Sequence, residues 1–150
     1  MRTAFRSALI ALALLLATAA YAADTTPVGT WTQVDDATGK PKSIIEITAQ
    51  PDGTLQGVVK QVLFSDQGPH PICDKCEGER HNKPVEGMTI MWGVKQDGDV
   101  WDGGRILDPH NGKTYKVKLS LEDNGMKLHV RGYIGMPMLG RTQTWLRKTD

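Results

Sequence analysis

The sequence has almost no charge imbalance, no recognisable catalytic motif and little sign of helix. Eighteen basic side chains stand against seventeen acidic ones, a formal charge of +1. No face can then carry the excess of Lys and Arg that a nucleic-acid backbone attracts, so a polybasic nucleic-acid binder is excluded. Gly-x-Ser-x-Gly, a phosphate loop, a dinucleotide fingerprint and His-Glu-x-x-His are all missing, and with them the commonest signatures of hydrolases, nucleotide enzymes and zinc proteases. The reading is of a protein that is not an enzyme and needs no cofactor. No segment has convincing 3.6-residue periodicity, no stretch is of low complexity, and no composition break marks a second domain. Beyond the first residues, no hydrophobic run is long enough to cross a bilayer.

That first run is a targeting signal rather than structure. Arg2 and Arg6 precede an apolar stretch from Ser7 to Ala17, and Ala20-Tyr21-Ala22 fits the small-x-small cleavage rule. Residues 1–22 are expected to be a signal peptide, leaving 23–150 as one domain. A membrane anchor is the competing reading, but the run is short for a span. No cysteine lies near the cut to carry a lipid. Loss of Arg2 and Arg6 turns 18 basic residues into 16 against 17 acidic ones, a mature charge of −1. The expected location is a bacterial periplasm, which is oxidising.

Sixteen glycines and eight prolines suit many short strands joined by turns. Asp52-Gly53, Asp97-Gly98, Asn111-Gly112 and Asn124-Gly125 are hairpin signals. Thr38 to Pro41 and Gly135 to Met138 add two more turns. The predicted strands are 28–34, 42–49, 54–64, 86–95, 99–107, 113–122, 126–134 and 139–148. With Asn124-Gly125 as a two-residue loop, Leu121 faces Leu128, Leu119 faces Val130, Val117 faces Gly132 and Tyr115 faces Ile134. A one-residue slip would bury Lys116, Lys118 and Arg131, so this register is strongly set. Asp97-Gly98 as a loop puts Val94 against Trp101 and Trp92 against Gly103. A three-residue loop from His110 to Gly112 sets Leu107 against Tyr115 and Arg105 against Val117. A four-residue loop from Gly135 to Met138 sets Ile134 against Leu139, Gly132 against Arg141, Val130 against Gln143 and Leu128 against Trp145. The inward face so drawn is mostly apolar, with Arg105, Arg141 and Gln143 on it. Eight antiparallel strands with one apolar face close into an up-and-down β-barrel, which either fills with side chains or holds one small ligand.

The chain is similar to lipocalins at its two ends: Gly29-Thr30-Trp31 opens the first strand, and Trp145-Leu146-Arg147 closes the last. That likeness implies that Gly29, Trp31, Trp145 and Arg147 are structural, with Trp31 packed against an arginine of the last strand. Trp101-Asp-Gly-Gly-Arg-Ile-Leu-Asp-Pro109, Asn111-Gly-Lys-Thr-Tyr115, Arg131-Gly-Tyr-Ile-Gly135 and Leu139-Gly-Arg-Thr-Gln-Thr-Trp145 resemble the exported bacterial family of domain of unknown function 2147. The resemblance implies a lipocalin-like barrel and an exported protein. It supplies no activity and no catalytic residue.

Residues 65–83 form a long connection carrying Cys73 and Cys76 between His70 and His81. Three readings are open. The two cysteines, at a separation a tight turn can bridge, form a local disulfide. Alternatively His70, Cys73, Cys76 and His81 hold zinc, whose tetrahedral chemistry suits those ligand types. A third reading is thiol–disulfide chemistry, which would favour a helix N-terminus that the pattern does not offer.

Arginine is almost never left unpaired in an apolar interior. Either the inward arginines close the barrel end, or Arg105 and Arg141 hold an anionic head group with Gln143, Tyr115, Trp92 and Trp101 around the ligand. The arginine fork binds a carboxylate or phosphate bidentately. The favoured function is binding or carrying a small amphiphilic anion, fatty-acid- or lipid-like. An envelope or partner-binding protein with a filled barrel is the alternative, and a metal or redox role of the cysteine loop comes third.

Overall fold

The computed structural model describes residues 25–150; the leader expected over residues 1–22 lies outside them. Eight strands run in chain order: β1 (Gly29–Val34), β2 (Pro41–Ala49), β3 (Leu55–Val62), β4 (Thr89–Asp97), β5 (Val100–Asp108), β6 (Lys113–Glu122), β7 (Lys127–Tyr133) and β8 (Arg141–Arg147). Each pairs antiparallel with the next, and β1 pairs with β8 through Trp31–Arg147, Thr32–Leu146 and Gln33–Trp145. The sheet is a closed barrel, the fold class read from the sequence. Closure leaves no unpaired sheet edge. Two single-turn 3-10 segments, Gly78–Arg80 and Pro137–Leu139, lie in the connections. Among the described residues no helix is long and apolar enough to cross a membrane.

The interior is built by strict alternation in β1, β2, β6, β7 and β8. Trp31, Ile45, Ile47, Val117, Leu119, Leu128 and Trp145 are fully buried. The β6–β7 register is the expected one, Leu119 against Val130 and Val117 against Gly132, and so is β7–β8, with Val130 against Gln143. The last hairpin is longer than expected, however. β7 ends at Tyr133 and β8 starts at Arg141, so Ile134 and Leu139 do not pair across it. They stand 65% and 76% exposed.

β4 and β5 depart from the expected register, and glycine is the reason. The two-residue turn is Gly98-Asp99, because Asp97 pairs with Val100, and Trp92 faces Arg105 rather than Gly103. Gly93 (φ +70°) and Gly103 (φ +80°) are left-handed, a conformation other residues rarely take. Each interrupts the alternation, so the side chains beyond it change face. Val94 stays inside against Leu55 while Trp92 turns outward, and Trp101 stays inside against Leu119 while Arg105 turns outward beside Lys116. The β5–β6 connection has four residues rather than the three expected from His110 to Gly112, since Asp108 pairs with Lys113. Ile106, not Leu107, therefore faces Tyr115.

The long β3–β4 connection packs on the outside of the barrel. Cys73 and Cys76 are bonded, with their Cα atoms 5.3 Å apart, and both are buried in one apolar cluster with Leu107, against which Trp92 also packs. The Arg80 guanidinium lies 4.7 Å from the centroid of the Trp92 ring. A Cβ on Gly112 would come within 1.9 Å of the Lys75 carbonyl oxygen, so this segment and the β5–β6 turn touch backbone to backbone.

Candidate functional site

The strand connections sort into two ends. The β2–β3, β4–β5 and β6–β7 turns lie at one end, together with the Trp31–Arg147 contact. Arg147 lies 4.2 Å from the Trp31 ring centroid and donates to the carbonyls of Gly125, Val28 and Thr26. The Trp31 indole donates to the Pro27 carbonyl at 2.8 Å. That end is plugged. The β1–β2, β3–β4, β5–β6 and β7–β8 connections surround the other end, and there a cavity of about 840 Å3 enters the barrel.

Its inner walls are Val59, Ile90, Ile106, Val130, Gly132 and Trp145, with Gln33, Ser43 and Gln143 among them; its rim carries Asp35, Lys42, Phe64, Asp108, His110, Tyr115, Ile134, Leu139 and Arg141. The apolar wall continues onto the rim, where Phe64 is 60% exposed beside the still more exposed Ile134 and Leu139. The Tyr115 hydroxyl accepts a hydrogen bond from Asn111 Nδ2 at 2.9 Å.

Three of the six expected ligand-binding residues reach this cavity: Tyr115, Gln143 and Arg141. Trp92 and Arg105 are on the outer wall. Arg105 is exposed and donates to the neighbouring Gly104 carbonyl. Trp101 is buried inside but away from the cavity, packed toward the plugged end. Arg141 is in its expected register opposite Gly132, yet its side chain is 67% exposed and grips Asp36 with Nε and a terminal nitrogen. The hydrogen bonds from Arg141 hold the Asp36 carboxyl below its ordinary value, and Asp36 in turn raises the arginine, with Asp108 and Asp35 adding to the same field. Arg141 thus stands among acids, with Lys42 paired to Asp35 nearby, and the unpartnered guanidinium expected for an anion site is not there.

The zinc alternative fails on its own ligands. Both thiols are spent in the Cys73–Cys76 bond, His70 is exposed, and His81 Nδ1 is 2.9 Å from the Cys76 carbonyl oxygen. Among the described residues no group of His, Cys, Asp and Glu is placed to hold a metal.

Sequence reasoning overlooked Gln33 and Ser43. Gln33 follows Trp31 by two on β1 and so shares its inward face; it is paired to Ser43 on one side and Trp145 on the other. The signal was present in the alternation, but no turn in the sequence marks the β8–β1 closure that brings Gln33 beside Trp145.

Residues 29–147 match a family of proteins described as uncharacterized and conserved in bacteria, DUF2147. The fold is similar to the solved structure of protein HP1028 from the human pathogen Helicobacter pylori, described as belonging to the lipocalin family. The TM-score is 0.71 at 19% identity, over 85% of this chain and 86% of that one. No curated protein matches.

Proposed function

The chain belongs to the DUF2147 family, and on that premise we propose that it binds or carries a small amphiphilic molecule in its barrel, in the periplasm and without catalysis. One observation carries the proposal: a cavity of about 840 Å3, plugged at one end and open at the other, within the ~300–1,000 Å3 that small-molecule sites occupy. A barrel serving only as a partner-binding scaffold would be packed through. Exposed Phe64, Ile134 and Leu139 extend the apolar surface to the mouth, which gives an apolar chain a foothold beside the charged rim residues. The periplasmic setting is supported by the leader-like residues 1–22 and by the Cys73–Cys76 bond, which an oxidising compartment maintains.

The anionic head group has lost its support, because Arg105 is outside and Arg141 is neutralised by Asp36. What remains is an apolar inner pocket with the neutral polar groups of Gln33, Ser43 and Gln143, below a mouth of mixed charge that carries Asp35, Lys42, Lys75, Asp108 and Arg141. The test is titration with N-phenyl-1-naphthylamine, a neutral fluorophore that brightens in apolar sites, together with mass spectrometry of molecules extracted from protein purified from the periplasm. Saturable one-to-one uptake, abolished by filling the cavity with Val130→Trp in a folded variant, is the expected result. Absence of both uptake and extractable ligand would sink the proposal.

A further inference from the structure

The cavity's polar wall has a fixed direction of hydrogen bonding, and that direction identifies the head group it accepts. Trp145 Nε1 is 3.0 Å from Gln143 Oε1. An indole N–H can only donate, so the Gln143 atom facing it must be the oxygen. Gln33 Nε2 donates to the same oxygen at 3.0 Å, which fixes the second amide as well. The Gln33 oxygen then accepts from the Ser43 hydroxyl at 2.5 Å. Both amide oxygens in the chain are engaged. Gln143 Nε2 makes no hydrogen bond to any described residue and sits on a cavity-lining side chain that is only half-buried.

From this wall of β8, β1 and β2 we infer that Gln143 is the head-group-selecting residue. It donates through Nε2 to the carbonyl oxygen of an uncharged amphiphile, an ester or an amide. The inference rests on the carrier reading above and names its ligand class. A cationic head would meet the acids Asp35 and Asp108 at the rim, but at Gln143 it would face amide hydrogens, which repel it. A carboxylate is disfavoured because the wall around Gln143 is neutral: at the mouth Arg141 and Lys42 are paired with Asp36 and Asp35, Lys75 belongs to the β3–β4 connection, and an unpaired charge is costly in an apolar cavity. A carbonyl needs only the donor that is waiting.

Displacement of N-phenyl-1-naphthylamine at pH 8 by methyl decanoate, decanoate and decyltrimethylammonium tests this. Methyl decanoate is expected to displace best from the wild type. Gln143→Glu keeps an oxygen for Trp145 and Gln33 but replaces the free donor by an acceptor. With the fluorophore affinity of the variant titrated directly as its own reference, it should bind methyl decanoate at least about tenfold more weakly and gain affinity for the ammonium compound. The wild-type protein gives an independent reading, because the side-chain amide resonance of Gln143 should shift on adding methyl decanoate. Equal methyl decanoate affinity in Gln143→Glu, an unmoved amide resonance, or stronger displacement by decanoate would overturn the head-group assignment and leave the carrier reading standing. Failure of the wild type to take up the fluorophore at all would overturn the carrier reading, and this inference with it.

Discussion

Arg147 sits over Trp31 with its guanidinium carbon 4.2 Å from the ring centroid, and from there it ties three segments together. Its donors reach Thr26 and Val28 before β1 and Gly125 in the β6–β7 turn. A lysine could supply the charge but not the fork. The pair therefore does at the plugged end what side-chain packing does elsewhere: it seals the barrel floor and anchors the chain that enters it.

The first prediction follows from that seal. Trp31 is fully buried, so Trp31→Ala should cost about 3–5 kcal/mol in urea denaturation. Arg147→Lys should cost about 1–3 kcal/mol through the carbonyls it leaves without donors. A Trp31→Ala midpoint equal to wild type would show that the floor does not depend on the ring.

The cysteine bridge calls for a different magnitude. Its ring spans a separation of three residues, and closing so small a loop restricts the unfolded chain by only about 2 kcal/mol. Cys73→Ala with Cys76→Ala should keep the barrel folded, with a loss near that figure. Amide exchange should accelerate in residues 65–88 and much less in β6 and β7. Global unfolding of the double variant would mean instead that the loop is part of the barrel's cooperative core.

The barrel's legibility in the sequence divides at two glycines. β6, β7 and β8 could be read residue by residue because their alternation is unbroken: Leu119 against Val130 and Val130 against Gln143 are where charge avoidance puts them. Alternation carried through Gly103 assigns Arg105 to the face of Trp101, and carried through Gly93 assigns Trp92 to the face of Val94. Both assignments fail, because a left-handed glycine leaves no mark in a hydrophobicity pattern. The loop spanning residues 65–83 was visible as a loop, but its position on the outer wall depends on contacts between distant segments, such as Arg80 with Trp92. At the site, Trp31 fixes which way Gln33 points, but the β8–β1 closure that completes the amide chain has no turn to mark it in the sequence.

Gly103 and its neighbour Gly104 yield a paired prediction. A Cβ on Gly103 would meet nothing within 4 Å, whereas one on Gly104 would meet Val94 Cγ2 at 2.4 Å and the Trp92 carbonyl oxygen at 2.5 Å. Gly103→Ala suffers only its left-handed backbone, about 1 kcal/mol. Gly104→Ala must push the β4 backbone aside, for which roughly 1–3 kcal/mol or more is usual. Thermal melting should rank Gly104→Ala as the more damaging. The reverse order would mean that the wall yields more easily than the left-handed turn.

The rim pair gives a prediction in pH and one in ligand choice. Arg141 holds the Asp36 carboxyl below its ordinary 3.8 in the folded protein, chiefly by direct hydrogen bonding. A depressed acid adds stability that is complete above its unfolded value, ~3.9, and is lost as pH falls through the lower folded value. The stability gap between wild type and Asp36→Asn should therefore be flat from about pH 5 upward and close below about pH 4. Both side chains reach solvent, 67% for Arg141 and 36% for Asp36, which keeps the gap under about 1 kcal/mol. Asp36→Asn also leaves Arg141 at the mouth without its carboxylate. If the pair is what turns anions away, the variant should bind decanoate several-fold better at pH 8 while methyl decanoate stays unchanged. Unchanged decanoate binding would mean that Asp35 and Asp108 suffice to keep the mouth acidic, and that the Arg141–Asp36 pair serves only to hold the β1–β2 turn against β8.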